Sequence, residues 1–285
     1  MNNSDTTWIV IPTLNEAENI VPLLQRIRSC MRGLSYLLCI VDDGSGDGTL
    51  DRVREFMKSE AADPIHIIQR KKANLGSQRG VAVWTGLQYG FHHSNCGIFV
   101  EMDADLSHRP EELRVGIDHI RSGYNVAIAS KYEPKSEVVN RPLGRRILSR
   151  TANTVVRALI SRDVGDYSNG FRFYDRECVS MICNHRLRYG SPIYLSEVLA
   201  LLLAHRMRVC EFPSTYVGRG EGLSKLRPID LLKAGIAVID IAVRFHLHLR
   251  GFVRGTPVFA PPQATPAPPQ ATPVEPELTL ETQRK

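Results

Sequence analysis

The sequence predicts an α/β protein, an open and mostly parallel sheet with helices on both faces. Short β-branched runs alternate with amphipathic segments of helical period up to about residue 130. Acidic or glycine-rich turns follow several of these runs, at the strand ends where open sheets bind ligands. With 285 residues, 43% of them hydrophobic, the chain can bury a full core without disulfides or a structural metal.

The elements follow in order. Residues 6–12 (TTWIVIP) read as a strand and 15–31 as a helix; 35–43 (SYLLCIVDD) as a strand and 47–61 as a helix. Residues 64–70 and 77–93 repeat the pair, as do 96–103 (CGIFVEMD) and 109–123, and NVAIAS at 125–130 is a fifth strand. From 141 to 162 a helical stretch carries six arginines. A turn and short strand (163–177), a helix (191–207) and a strand ending in a glycine-rich loop (208–225) complete one folded unit over 1–228. Residues 229–254 hold an amphipathic helix, with Leu231, Leu232, Gly235, Ile236, Ile239, Ala242 and Val243 on its apolar face and Asp230, Lys233, Asp240 and Arg244 on the other. That face packs on the sheet or lies in a membrane interface. Residues 255–285 repeat APPQATP and lack the apolar residues to order themselves, so a disordered tail is expected.

Composition narrows the function classes. The formal charge of +6 and pI near 9.1 fit an anionic partner. Nucleic acid is disfavoured, because the basic residues are not interleaved with stacking aromatics. The six cysteines show neither a Cys-x-x-Cys pair nor zinc-ligand spacing, as for reduced thiols in a cytosolic protein. No run of about 18 uncharged apolar residues is present, so no transmembrane helix is expected, and the N-terminus does not read as a signal peptide.

The chemistry concentrates in VEMDADLSH (100–108). Residues i and i+2 of a strand share a face, so Asp103 and Asp105 at a strand's end can both reach one hard divalent cation. Mg²⁺ or Mn²⁺ typically takes one or two carboxylates together with substrate phosphates. VDDGSGDGT after the second strand is either a turn with Asp47 as a helix cap or a carboxylate for a base or ribose. IPTLNEAEN after the first strand offers Asn15, Glu16 and Glu18 near a helix start, with capping again the alternative.

Together IPTLNEAENI, VDDGSGDGT, NLGSQRGVAVWTGLQYG and VEMDADLSH resemble family 2 glycosyltransferases of the GT-A fold, within them the dolichol- or polyprenol-phosphate mannose synthase group. ASKY, RPLGRRILSR, GFRFYDRE and GRGEGLSK extend the resemblance over roughly residues 7 to 226. It implies nucleotide contacts at Pro12, Glu16 and Asp43, with Leu14 and Val41 lining that slot. It implies a metal and diphosphate site at Asp103 and Asp105, approached by the Ala104 backbone, with Ser107 where many relatives have a glutamine ligand. Lys131, Arg145, Ser149 and Arg219 correspond to an acceptor-phosphate cradle, and Lys225 to a donor-phosphate contact. Two further departures stand out: Leu14 replaces a frequent aromatic residue, and Lys131 replaces an arginine, keeping the charge but losing the bidentate fork.

The expected reaction is metal-dependent, inverting transfer of a hexose, mannose from GDP-mannose, to a polyprenyl or dolichyl monophosphate, by a protein peripheral to the cytoplasmic face of a membrane. A monophosphate is already substantially ionised near neutral pH, so no catalytic base is needed. Alternatives are a UDP-sugar donor, or a hydroxyl acceptor with Glu197 as the base. His108 is expected to order the Asp-x-Asp loop rather than to transfer protons. The arginines of 141–162 besides Arg145 fit a patch facing an anionic membrane surface.

Overall fold

The structure, a computed structural model, describes residues 5–58, 64–70, 78–218 and 228–249. Its strands are β1 (Thr7–Thr13), β2 (Tyr36–Asp42), β3 (Ile65–Gln69), β4 (Ile98–Glu101), β5 (Val126–Ser130), β6 (Glu137–Val139), β7 (Arg172–Asp175), β8 (Val209–Pro213) and β9 (Thr215–Val217). Its helices are α1 (Ile20–Cys30), α2 (Thr49–Met57), α3 (Arg79–His93), α4 (Leu113–Arg121), α5 (Leu143–Leu159), α6 (Arg176–Asn184), α7 (Tyr194–Ala204) and α8 (Pro228–Leu249).

Seven strands form one sheet in the order β3-β2-β1-β4-β7-β5-β8, and β6 pairs with β9 in a separate ribbon. All pairings in the large sheet are parallel except those of β7, which runs antiparallel between β4 and β5. The fold is the expected α/β class. The antiparallel insertion, the helix α6 and the small ribbon are additions the hydrophobic pattern did not disclose.

Strand alternation builds two cores. On β1, Trp8 and Val10 join the layer that includes Leu87 of α3, Leu199 of α7 and Ile241 of α8. Ile9 and Ile11 face the opposite layer, with Leu24 of α1, Val53 of α2 and Ile117 of α4. Burial on both faces explains why the strands read as continuous apolar runs. Gly116 lets α4 lie directly on the sheet, because a Cβ there would overlap the Phe173 ring. Gly116→Ala is therefore expected to destabilise the protein by about 1–3 kcal/mol through overpacking, measurable by thermal unfolding.

Helix α8 packs through one side and leaves part of the expected apolar face open. Ala237, Val238, Ile241, Ala242 and Phe245 are buried, and the helix packs on α7 and α5 rather than on the sheet. Ile236, Ile239 and Val243, on the apolar face read from periodicity, are 60%, 55% and 58% exposed, so this side does not pack on the sheet. The helix is apolar around most of its circumference, so periodicity could not select which side meets the protein. The side chains of Leu231 and Leu232, and the tail from residue 250, lie outside the described residues.

Candidate functional site

The chain runs β1, β2, β3 toward one sheet edge and then returns to place β4 on the other side of β1. That reversal opens a crevice at the strands' carboxyl ends. A cavity of about 340 Å³ lies there, lined by Pro12, Thr13, Leu14, Glu16, Asp43, Gln78, Arg79, Asp103 and Ala104.

The first two turns are tied to each other by side chains. Asp42 accepts hydrogen bonds from Thr13 Oγ1 (2.9 Å), Gly44 N (3.0 Å) and Ser45 N (2.9 Å). Asp47 accepts from Ala17 N and Thr49 N at 2.9 and 3.0 Å. Gly44 and Gly48 supply the positive φ angles of 83° and 89° that this turn requires. Asp42 and Asp47 are therefore turn builders, and Asp43 is the carboxylate of the segment that reaches the cavity. Arg70 Nη1 pairs with Asp43 Oδ1 at 2.6 Å. Burial raises the Asp43 pKa, with the Arg70 charge opposing the rise.

Of the expected slot residues, Pro12, Leu14, Glu16, Asp43, Asp103 and Ala104 line the cavity; Val41 does not. Its side chain is wholly buried beneath α3, against Gly86. This corrects the expectation: Val41, like Ile40 and Asp42 beside it, is buried within the sheet, and the chain reaches the cavity only at Asp43.

After β4 the chain bends sharply, with Leu106 at φ 61°. Asp105 Oδ1 accepts Ser107 N at 3.0 Å, and Asp103 N donates to His108 Nδ1 at 3.0 Å. That bond leaves the His108 proton on Nε2, which lies 3.7 Å from Asp103 Oδ2. His108 is stacked on Phe171, and burial lowers its pKa, favouring the neutral ring. Its position agrees with a loop-ordering part. Ser107 Oγ is buried beside the Tyr216 side chain. Two carboxylates and a buried hydroxyl oxygen make a set of hard donors suited to a divalent cation.

An arginine also meets this set, and the sequence reading missed it. Arg79 opens α3 and donates from Nε to Asp103 Oδ1 (2.5 Å), from Nη1 to Glu101 Oε2 (3.0 Å) and to the Tyr194 hydroxyl, and from Nη2 to Gly170 O (3.1 Å). Glu101 is fully buried and also accepts from Tyr174 and Tyr194. Burial by itself weakens the charge on Arg79, but the negative charges around it, Asp103 first, hold the guanidinium firmly protonated. No local signal marks Arg79, since Glu101 and Tyr194 lie 22 and 115 positions away.

A second cluster adjoins the first. Lys131 Nζ donates to Ser168 Oγ (3.1 Å), lies 3.8 Å from Asp166 and sits 5.2 Å from the centre of the Tyr216 ring. Arg141 faces the same ring at 5.5 Å. Burial lowers the Lys131 pKa, and the Asp166 carboxylate counters it. Burial raises the Tyr216 pKa, and the charges of Asp105 and Asp103 add to this, so that ring adjoins both clusters. Ser149 of α5 is hydrogen-bonded to the Tyr132 hydroxyl at 3.1 Å, with Arg145 one turn before it. Arg141 and Tyr216 were not singled out from sequence, although Arg141 lies inside RPLGRRILSR and Tyr216 two residues before GRGEGLSK. Arg219 and Lys225 lie outside the described residues.

Glu197 stands apart, which corrects its candidacy as a base. Its carboxylate is fully buried and accepts from His185 Nε2 (3.2 Å), from the amides of Arg188 and Tyr189 (3.1 Å each) and from Arg244 Nη1 of α8 (3.1 Å). It anchors the loop before α7 and the helix α8.

A switch-point cavity walled by carboxylates on an open sheet, with a cationic cluster beside it, is the architecture of GT-A glycosyltransferases. Glucosyl-3-phosphoglycerate synthase from Mycobacterium tuberculosis, solved with Mn²⁺, UDP-glucose and phosphoglyceric acid, shares this fold with a TM-score of 0.61 at 18% identity, over 84% of this chain and 80% of that one.

The chain belongs to glycosyl transferase family 2, whose sequence model matches residues 8–182. It is 33% identical to polyprenol monophosphomannose synthase of Mycolicibacterium smegmatis over 250 residues, 87% of this chain and 91% of that protein. It is 32% identical to dolichol-phosphate mannosyltransferase of Pyrococcus furiosus over 77% of this chain, spanning 58% of that longer relative. Undecaprenyl-phosphate mannosyltransferase of Micrococcus luteus is 31% identical over 76% of this chain and 86% of its own length. The protein is thus a glycosyltransferase, and its expected kinship with the polyprenol-phosphate mannose synthases holds.

Proposed function

We propose that this enzyme transfers mannose from GDP-mannose to a polyprenyl or dolichyl monophosphate, with inversion at the anomeric carbon and with Mg²⁺ or Mn²⁺ held at Asp103, Asp105 and Ser107. The observation that carries the reading is the adjacency of the acidic pair to the two cations, Lys131 and Arg141, that face the Tyr216 ring. Two cations so placed suit an anionic acceptor that attacks without a base. Names shared by three relatives support the lipid phosphate and the sugar.

The cavity residues divide the work. Pro12, Leu14, Glu16 and Asp43 bind the base and ribose, Asp43 being held in place by Arg70. The divalent ion, when bound, stabilises negative charge developing on the departing diphosphate. Lys131, Arg145, Ser149 and Arg219 hold the acceptor phosphate against its repulsion from the donor, and Lys225 adds a cation to the donor side. The acidic pair organises the leaving group, so no residue is assigned as general base. A hydroxyl acceptor is less well supported, because the carboxylate of Glu197 is buried among its own hydrogen-bond donors.

Membrane contact fits the outer surface of α5 and α8. Leu143 and Ile147 on α5 are 70% and 58% exposed, and Ile239 and Val243 on α8 are also open. Arg146, Arg150 and Arg157 run beside the apolar positions of α5. Exposed apolar residues flanked by basic ones suit the interface of an anionic bilayer. No helix among the described residues is long and apolar enough to cross a membrane.

The test is transfer from a panel of labelled nucleotide sugars to polyprenyl phosphate in anionic vesicles, with Mg²⁺, with Mn²⁺ and with EDTA. Metal-dependent label in an acid-labile lipid, from GDP-mannose above all UDP-sugars, is the expected result. Label from a UDP-sugar alone would overturn the donor. Donor binding without lipid labelling would overturn the acceptor.

A further inference from the structure

We propose that Arg79 is a positioning residue that keeps Asp103 occupied in the free protein and yields it when a divalent ion arrives with the donor's diphosphate. The inference rests on the metal-dependent reading above and adds an order of assembly to it. Metal should bind weakly to the free enzyme and tightly only together with a nucleoside diphosphate.

The geometry supplies the reason. Asp103 Oδ1 is one of the carboxylate oxygens a cation would use, and Arg79 Nε already donates to it at 2.5 Å. A divalent ion on that carboxylate meets a fixed positive charge within a few ångströms, in a partly dehydrated site where such repulsion is poorly screened. Arg79 is built in rather than draped over the surface: its side chain is 15% exposed and also held by Glu101 and Tyr194. Space for it depends on Gly170, where a Cβ would collide with Nη2.

The surroundings also favour sharing over permanent exclusion. Among the described residues, Glu16, Asp43 and Asp103 are the acidic side chains lining the cavity, and Arg79 is its one cationic lining residue. A diphosphate entering there adds the negative charge that can accommodate a divalent ion and a guanidinium together. Glu101 and Gly170 O would retain two corners of the guanidinium while the Nε edge turns from Asp103 toward phosphate oxygen. Arginine suits that exchange, because its planar fork matches phosphate as well as carboxylate. By linkage, whatever factor nucleotide contributes to metal affinity, metal contributes to nucleotide affinity.

The experiment is titration of the full-length protein with Mn²⁺, followed by electron paramagnetic resonance, with and without GDP or UDP. Wild type, Arg79→Gln and Arg79→Met are compared, each checked for folding by circular dichroism. In wild type, nucleoside diphosphate should tighten Mn²⁺ binding at least tenfold. Arg79→Gln should bind Mn²⁺ at least fivefold more tightly than wild type without nucleotide, and should lose most of the coupling. If Arg79→Gln does not fold, Arg79→Met serves: lacking both the charge and the Nε donor, it should also bind Mn²⁺ more tightly without nucleotide. Mn²⁺ affinity within twofold of wild type in the folded variants overturns the proposal and leaves the metal reading intact. Absence of Mn²⁺ binding to wild type even with nucleotide overturns the metal reading, and the handover with it.

Discussion

Asp105→Asn is expected to lower sugar transfer by about 100- to 1,000-fold while leaving the fold in place. Removing one preorganised group that stabilises transition-state charge typically costs that much. The substitution is nearly isosteric, and an asparagine oxygen can still accept the Ser107 amide that Asp105 Oδ1 accepts now. The turn should therefore survive, so the loss would report the missing negative charge. Initial rates measured across a range of Mn²⁺ concentrations, beside thermal unfolding, make the check. A metal-binding part requires the deficit to shrink as Mn²⁺ rises. Equal deficits at all Mn²⁺ concentrations would place Asp105 outside the metal site.

Glu197→Ala is expected to act oppositely, on stability rather than on chemistry. Removing one partner of a buried, hydrogen-bonded ion pair costs about 3–5 kcal/mol. Here the orphaned groups would be Arg244 and the amides of Arg188 and Tyr189. At about 2–4 °C per kcal/mol for a large domain, the melting temperature should fall by roughly 6–20 °C. Glu197→Gln should lose less stability, and its folded fraction should retain turnover, which a general base could not do. The pH dependence has a definite sign. Burial would raise the Glu197 pKa, but hydrogen bonds from His185 and the Arg188 amide, with the Arg244 charge, outweigh it and lower the value. The stabilisation is then fully present above the unfolded carboxylate's pKa and lost as pH falls through the folded value. The gap in melting temperature between wild type and Glu197→Gln should close in acid.

The acidic pair and Glu197 contrast in how legible they were. Asp103 and Asp105 could be read because their neighbours along the chain state their setting: an apolar strand before them, a proline and helix start after. Glu197 could not, because what defines it comes from residues 185–189 and from Arg244 on another helix. Read along the chain, a glutamate near a helix start is equally a cap, a base or a clamp.

The same division runs through the molecule. Local pattern determined the strands of the parallel sheet and the turns that carry Asp43 and Asp103, because periodicity and turn chemistry act over a few residues; the family came from the resemblance of the motifs at those turns. Only tertiary structure decided which face of α8 is buried, that Val41 turns away from the cavity, and that Arg79 rather than solvent meets Asp103. Each of those outcomes depends on a contact between residues far apart in sequence. The polar residues of α8, Asp240 and Arg244, turn toward Arg188 and Glu197 of the protein rather than toward solvent, so polarity along the helix does not orient it; a buried arginine likewise has no signature until its carboxylates are folded around it.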